Sequence, residues 1–220
     1  MEWPATGTVV DLGCGPGTHL ARLASRVPGL HLVGTDLSEG MLAATRAESP
    51  TASPVCLDAA AVALRTASAE VVMANHMLYH VADLARTLAE IRRVLVPGGV
   101  LLAVTNGLDH FVELDRLLGQ AAGRPDFVRP SVRFSLEGSQ ADLERVFDRV
   151  DRRDHLGQLV VPDAEPVLRF AASMRDLAFV GTTDEDWAGA MVAFEEVVAE
   201  RLARDGAIRI TTHAGAFVCC

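Results

Sequence analysis

Val9-Val10-Asp11-Leu12-Gly13-Cys14-Gly15-Pro16-Gly17 packs a strand end, a tight turn and a helix start into nine residues. The β-branched pair ends a buried strand. The three glycines at alternate positions serve where the backbone takes φ > 0, or where a ligand lies against the chain with no Cβ between. A helical pattern starts near Thr18, and a helix start offers unpaired N–H groups to an anionic part of that ligand. The stretch therefore predicts a nucleotide-like ligand at the C-terminal end of the first strand of a parallel sheet.

The flanking sequence repeats the strand–helix rhythm. Leu20, Leu23, Ala24 and Val27 mark a helix over residues 17–27, stopped by Pro28-Gly29. Residues 30–35 read as a second buried strand ending at Asp36, and Ser38 caps a helix with Met41 and Leu42 on its inner face. Residues 50–54 form a loop, residues 55–57 a short third strand ending at Asp58, and the alanine-rich 59–67 fits no single element. A fourth strand over 69–74 leads into Asn75-His76-Met77-Leu78-Tyr79-His80. A helix over 83–95 presents Leu84, Leu88, Ile91 and Leu95, and Pro97-Gly98-Gly99 turns into a fifth strand over 100–105. This alternation calls for a parallel sheet with right-handed crossovers.

After Asn106-Gly107 the rhythm changes. Helices are expected over 109–122, from a Ser139 cap to 146 or 147, and over 162–175 and 184–204. Residues 123–130 form a loop, 133–136 a short extended piece, 151–161 a strand, and 208–218 the last strand or strand pair. Two helices between the last two strands predict a small helical cap over the C-terminal edge of the sheet.

At 220 residues the chain suits a single domain with a substantial core. Half of it is hydrophobic, 22% is charged, and the net charge is −9 with no lysine at all, which disfavours a nucleic-acid binder because phosphate backbones need a Lys/Arg surface. Cys14, Cys56, Cys219 and Cys220 match neither a disulfide framework nor a zinc spacing, so no metal is expected. No signal peptide fits the N-terminus and the apolar runs are too short to span a membrane, so the expected location is cytoplasmic, away from membranes.

Asp36 lies nineteen positions after Gly17, at a strand end, where a carboxylate accepts from both hydroxyls of a ribose; capping the helix beside Ser38 is its structural alternative. The glycine spacing is not that of the dinucleotide fingerprint, G-x-G-x-x-G. Asp11-x-Gly13-x-Gly15-x-Gly17 instead resembles the first motif of the class I S-adenosylmethionine-dependent methyltransferases. The resemblance continues through Gly34-Thr35-Asp36-Leu37-Ser38 with Met41, Leu57-Asp58-Ala59, residues 72–81, and Arg92-Arg93-Val94-Leu95-Val96-Pro97-Gly98-Gly99. It covers about residues 8–106, and the later part resembles small-molecule members in outline.

The resemblance implies a doubly wound, seven-stranded, mostly parallel Rossmann-like α/β sheet with a cofactor core over 8–106, a substrate-side cap over 107–205 and a terminal strand over 206–220. It implies S-adenosylmethionine as cofactor. The backbone of Gly13, Cys14, Gly15 and Gly17 would cradle its methionine part, with Asp11 orienting that loop or reaching the amino group. Asp36 would hold the ribose, Leu37 and Met41 would flank the adenine, and Asp58 with the Ala59 N–H would meet the adenine edge. Asn75 and His76 would lie beside the sulfonium.

The implied reaction is transfer of a methyl group to an O, N or C atom of a small molecule, in keeping with secondary metabolism. A base is needed only for an acceptor protonated at working pH, and His is the natural candidate; His76, His80 and His110 follow strand ends. Helix capping for His80 and a surface position for His110 are their bland alternatives. Tyr79, Arg133 and Phe134 are further pocket candidates, and Arg129, Arg133 or Arg169 would suit a carboxylate or phosphonate acceptor if they are not simply solvated. The Phe111, Leu114, Leu117, Leu118 stripe reads as helix core. No Asn/Asp-Pro-Pro-Tyr/Phe follows the fourth strand, which speaks against a nucleobase acceptor. Family members carry helices before the first strand where this sequence has about seven residues, so a more open site, a homodimer partner or a longer natural N-terminus is expected. The competing readings are an NAD(P)-dependent Rossmann oxidoreductase, opposed by the glycine spacing and the lack of lysine, and a non-catalytic binding or assembly protein of the same fold.

Overall fold

The computed structural model describes residues 2–127, 133–179 and 181–220. Part of the loop expected over 123–130, Arg129 included, lies outside the described residues. The chain divides into two compact units. The first holds Met1–Thr105, Phe134–Arg153 and Gly215–Cys220, and the second Asn106–Arg133 and Asp154–Ala214.

In the first unit, β1 (Gly7–Leu12), α1 (Thr18–Arg26), β2 (Leu30–Asp36), α2 (Glu39–Glu48), β3 (Ser53–Cys56), β4 (Ala69–Asn75), α3 (Leu84–Val94) and β5 (Leu95–Asn106) follow one another. Further along come α4 (Val112–Ala121), α5 (Gln140–Glu144), β6 (Val150–Val161), α6 (Ala164–Ser173), α7 (Arg175–Ala178), α8 (Asp184–Asp205) and β7 (Ile208–Cys219). The strands form one seven-stranded sheet in the order β3-β2-β1-β4-β5-β7-β6. The pairs β1/β2, β1/β4, β2/β3 and β4/β5 are parallel. The order reverses at β1, whose neighbours are β2 and β4, and the carboxyl ends of strands at such a reversal are where open α/β sheets bind ligands.

Alternation along the strands explains the double winding. Val9, Leu32, Val71 and Met73 pack with Leu20, Leu23 and Leu42 of α1 and α2. Their neighbours Val10, Leu12, Val33, Val72 and Ala74 pack on the other face with Leu88, Ile91 and Val94 of α3. A period of two in the strands thus meets helical stripes on both faces. The loop over residues 62–66 is tied down by Arg93, whose guanidinium donates to Val62 O (2.7 Å) and Leu64 O (2.9 Å).

Three details depart from the sequence reading. Pro97-Gly98-Gly99 does not precede β5 but bulges within it, since the pairing jumps from Ala69↔Leu95 to Val71↔Val100. Residues 133–136 are not extended: Ser135 Oγ accepts from the Gly138 N–H (3.1 Å) and draws the chain into a turn, and the Thr105 hydroxyl holds Phe134 O. Ser139 precedes α5 but makes no side-chain cap; its N–H donates to Ser135 O (3.2 Å), one turn back.

In the second unit, Leu114, Leu117 and Leu118 of α4 pack with Val167 and Ala171 of α6, Trp187, Phe194 and Val198 of α8, and Ile208 and Ile210 of β7. The stripe read as helix core is therefore core. The Thr183 hydroxyl caps α8 by accepting from the Asp186 N–H (3.1 Å), and Gly206 ends the helix at φ +73°. No helix among the described residues is long and apolar enough to cross a membrane.

Candidate active site

A cleft of about 580 Å³ opens at the carboxyl ends of β1 to β4, lined among others by Gly13, Asp36, Leu37, Asp58, His76 and His80. Four strand ends that are remote in sequence converge on it, as the strand order requires.

Gly13 brings the glycine turn to its edge. Gly15 sits at φ +54° with nothing within 4 Å of where a Cβ would stand, so space remains for a ligand against the backbone. Gly17 begins α1 at φ +84°, and a Cβ there would meet the Thr45 methyl at 2.8 Å. The turn is held from β2 and α2. The Cys14 N–H donates to Thr35 O (2.8 Å), the Gly15 N–H to Asp36 Oδ2 (3.0 Å), and the Thr45 hydroxyl to Gly15 O (2.8 Å). The Cys14 thiol is buried near Thr45 Oγ1 (3.5 Å), and burial pushes its pKa up to about 11, so it supplies no thiolate at neutral pH.

Asp11 is fully buried at the end of β1. Its Oδ1 accepts from Asn75 Nδ2 (3.3 Å), while Oδ2 is buried with no hydrogen-bond partner among the described residues. Burial pushes its pKa up to about 7; the Asn75 hydrogen bond opposes that and the Asp36 charge adds to it. A buried carboxylate with an orphaned oxygen is costly unless a cation or donor meets it.

Asp36 accepts at Oδ2 from Gly15 and at Oδ1 from the Ser38 N–H (2.9 Å). Ser38 caps α2, as the sequence suggested. Each carboxylate oxygen has a further lone pair for a ligand hydroxyl. Asp58 Oδ1 accepts from the Ala60 N–H (2.8 Å), fixing the loop after β3. Leu37 and Met41 are exposed apolar side chains, at 71% and 45%; Leu37 lines the cleft, whereas Met41 faces solvent on α2 instead of joining Leu42 in the core.

His76 follows β4 at φ +54°, a conformation rare for a residue with a side chain. Its N–H is tied to Val104 O (2.9 Å). Desolvation, and then the neighbouring His19 charge, lower its pKa, so the ring is neutral at neutral pH. His80 ends a 3₁₀ turn over Leu78–His80 and lines the cleft. It does not cap α3; Asp83 does, accepting from the Arg86 N–H (2.9 Å). His110 belongs to the second unit, outside the cleft lining. Its Nδ1 accepts from the His213 N–H (3.0 Å) and its ring stacks on Phe111 at 4.1 Å. Phe134 is buried in the core beside Phe217 and offers no pocket surface. Tyr79 packs against the core and the His80 ring, and Arg169 is paired with Glu165 (3.0 Å) at the surface.

Two participants escaped the sequence reading. Arg86 lines the cleft from α3. Thr45 is fully buried in mid-helix, three residues after Leu42 on the same face. A β-branched hydroxyl on the buried face of a helix was the available signal, since such a residue is a middling helix former that needs a hydrogen-bond partner when buried.

Residues 10–103 match the family described as "Methyltransferase domain". That match, the sheet order and the glycine turn support the resemblance to the class I S-adenosylmethionine-dependent methyltransferases. Among individual proteins, it is 41% identical over 98 residues to a trans-aconitate 2-methyltransferase of Variovorax paradoxus, covering 44% of this chain and 38% of that one. It is 35% identical over 156 residues to an uncharacterized 37.1 kDa protein in transposon TN4556 of Streptomyces fradiae, covering 69% of this chain and 40% of that one. The chain thus spans about two fifths of the length of these curated relatives. In structure it resembles the YcgJ protein of Bacillus subtilis, with a TM-score of 0.64 at 20% identity over 99% of this chain and 92% of that one.

Proposed function

We propose that the protein binds S-adenosylmethionine in the β1–β4 cleft and transfers its methyl group to an O, N or C atom of a small-molecule acceptor. The orphaned Asp11 Oδ2 carries this reading. A buried carboxylate without a partner suits a ligand that brings a cation, and S-adenosylmethionine carries an ammonium and a sulfonium. A dinucleotide would instead bring a pyrophosphate, which that carboxylate repels. When bound, the cofactor supplies a methyl group activated by the sulfonium, with a neutral thioether as leaving group.

The chain's own residues then bind and orient. Asp11 orients the glycine loop or receives the amino group, and the backbone of Gly13, Cys14, Gly15 and Gly17 lies along the methionine part. Asp36 holds the ribose hydroxyls. Leu37 covers the adenine, whose edge meets Asp58 and the Ala59 N–H; Met41, turned to solvent on α2, is not part of that contact. Asn75 and His76 flank the sulfonium. His76, neutral at working pH because its pKa is lowered, accepts a proton from an acceptor that carries one, with His80 as the alternative base on the same cleft. The domain works as one methyltransferase unit in the cytoplasm, alone or as a homodimer, on a small molecule and not on nucleic acid or a membrane.

The acidic chain and the names of the relatives support a small acceptor, and the trans-aconitate relatives make polycarboxylates the first compounds to try. Incubation with methyl-radiolabelled cofactor and a panel of small acids, amines and phenols tests the reading. Label should move into at least one of them, and more slowly with His76→Asn. Label that moves only into nucleic acid would overturn the small-molecule assignment.

A further inference from the structure

Gly15 is the apex of the turn, and neither its own side nor its neighbour fixes it. It has no Cβ, nothing packs within 4 Å on that side, and Pro16 has no N–H with which to anchor the following peptide. Glycine has more backbone freedom than any other residue; the Gly17 N–H donating to Cys14 O (3.1 Å) closes the turn around it, and two side chains orient the peptide planes on either side. The plane before Gly15 is set by Asp36, through the Gly15 N–H (3.0 Å). The plane after it is set by Thr45, whose hydroxyl lies 2.8 Å from Gly15 O. That hydroxyl has one proton and a second carbonyl within reach, Met41 O at 3.1 Å, so the nearer Gly15 O competes with an ordinary intrahelical partner. The Thr45 methyl also lies under Gly17, the last glycine of the turn. Because peptide units are planar, these two side chains and the Gly17 N–H to Cys14 O bond together constrain φ and ψ of Gly15.

We propose that Thr45 is a positioning residue for cofactor binding: its hydroxyl, acting with Asp36 on opposite sides of Gly15, shapes the glycine turn that receives the methionine part of S-adenosylmethionine. The proposal rests on the cofactor reading above. It makes α2 part of the binding machinery, and it links the ribose and methionine ends of the ligand through one glycine.

Two substitution pairs isolate the hydroxyl. Thr45→Val keeps the shape and removes it. Thr45→Ser and Thr45→Ala both lose the methyl and differ from each other only in the hydroxyl, so they remain informative if the valine variant does not fold. Affinity for S-adenosylhomocysteine is measured by calorimetry, alongside melting temperature. The expected result is a Kd at least fivefold weaker for Val than for wild type and for Ala than for Ser, with Ser recovering most of the wild-type affinity. Val matching wild type and Ala matching Ser, with only melting temperature changing, would overturn the proposal and leave Thr45 a packing residue. A wild-type protein that fails to bind S-adenosylhomocysteine would overturn the cofactor reading itself, a distinct outcome visible before any variant is made.

Discussion

Replacing Asp11 by asparagine separates the electrostatics of the site from its shape. The Asp11 carboxyl is buried and its pKa is pushed from 3.8 to about 7. A folded-state pKa above the unfolded value means that the folded protein holds the proton more tightly. The stabilisation is complete below the unfolded pKa and is lost as pH rises through about 7. At 1.36 kcal/mol per pH unit, this group alone removes about 3 kcal/mol of stability from the wild type between pH 5 and pH 8. The asparagine variant does not titrate there. It keeps the oxygen that accepts from Asn75 and leaves an amide nitrogen without a partner, at a cost of ~1–3 kcal/mol. The variant should therefore match or exceed wild-type stability at pH 8 and fall behind it at pH 5, with the difference between the two proteins changing by about 3 kcal/mol. Urea unfolding of both at pH 5, 6, 7 and 8 measures it. The variant should also bind S-adenosylhomocysteine more weakly, because the charge proposed to act on the ligand's amino group is gone. Parallel stability curves across that range would refute the argument that Asp11 is a buried carboxylate held near neutrality.

Asp36→Ala should weaken S-adenosylhomocysteine binding by ~2 kcal/mol or more, since it removes charge-assisted hydrogen bonds to the ribose and frees the Gly15 N–H; unchanged affinity by calorimetry would mean that the ribose is held elsewhere. Gly17→Ala should destabilise the fold by about 1–3 kcal/mol in urea unfolding, because it places a Cβ at positive φ against the Thr45 methyl. His76→Asn should leave stability nearly unchanged, as asparagine also tolerates the left-handed backbone. With an acceptor that must lose a proton, the wild-type rate should fall on the acid side with a midpoint below 6.5, from the lowered His76 pKa, and that limb should vanish in the variant.

What the sequence makes legible is local chemistry in series. The β-branched strand end, the alternate glycines, Asp36 after β2 and the Ser38 cap each declare a backbone state, and their order determines the sheet. The alternation of Val9, Val10 and Leu12 between two apolar clusters is the same information seen from the core. Residues whose state depends on a distant partner are not legible. His110 reads as a histidine beside a strand end, yet its Nδ1 is engaged by a backbone N–H 103 positions away. The β5 bulge arises from pairing with β4 and not from Pro97-Gly98-Gly99 alone. Ser135, not Ser139, makes the turn before α5, a choice between two serines four positions apart that only the folded backbone decides. Thr45 carries its signal in mid-helix, but the carbonyl that it serves lies thirty positions back.

The β1–β4 cleft is proposed to receive a cationic adenosyl cofactor at Asp36, with buried Asp11 behind the glycine turn. Calorimetric titration of the wild-type protein with S-adenosylhomocysteine, and separately with NADH, both at pH 8, tests it most directly. One-to-one saturable binding of S-adenosylhomocysteine and no heat from NADH are expected; tight NADH binding with no response to S-adenosylhomocysteine would contradict that placement.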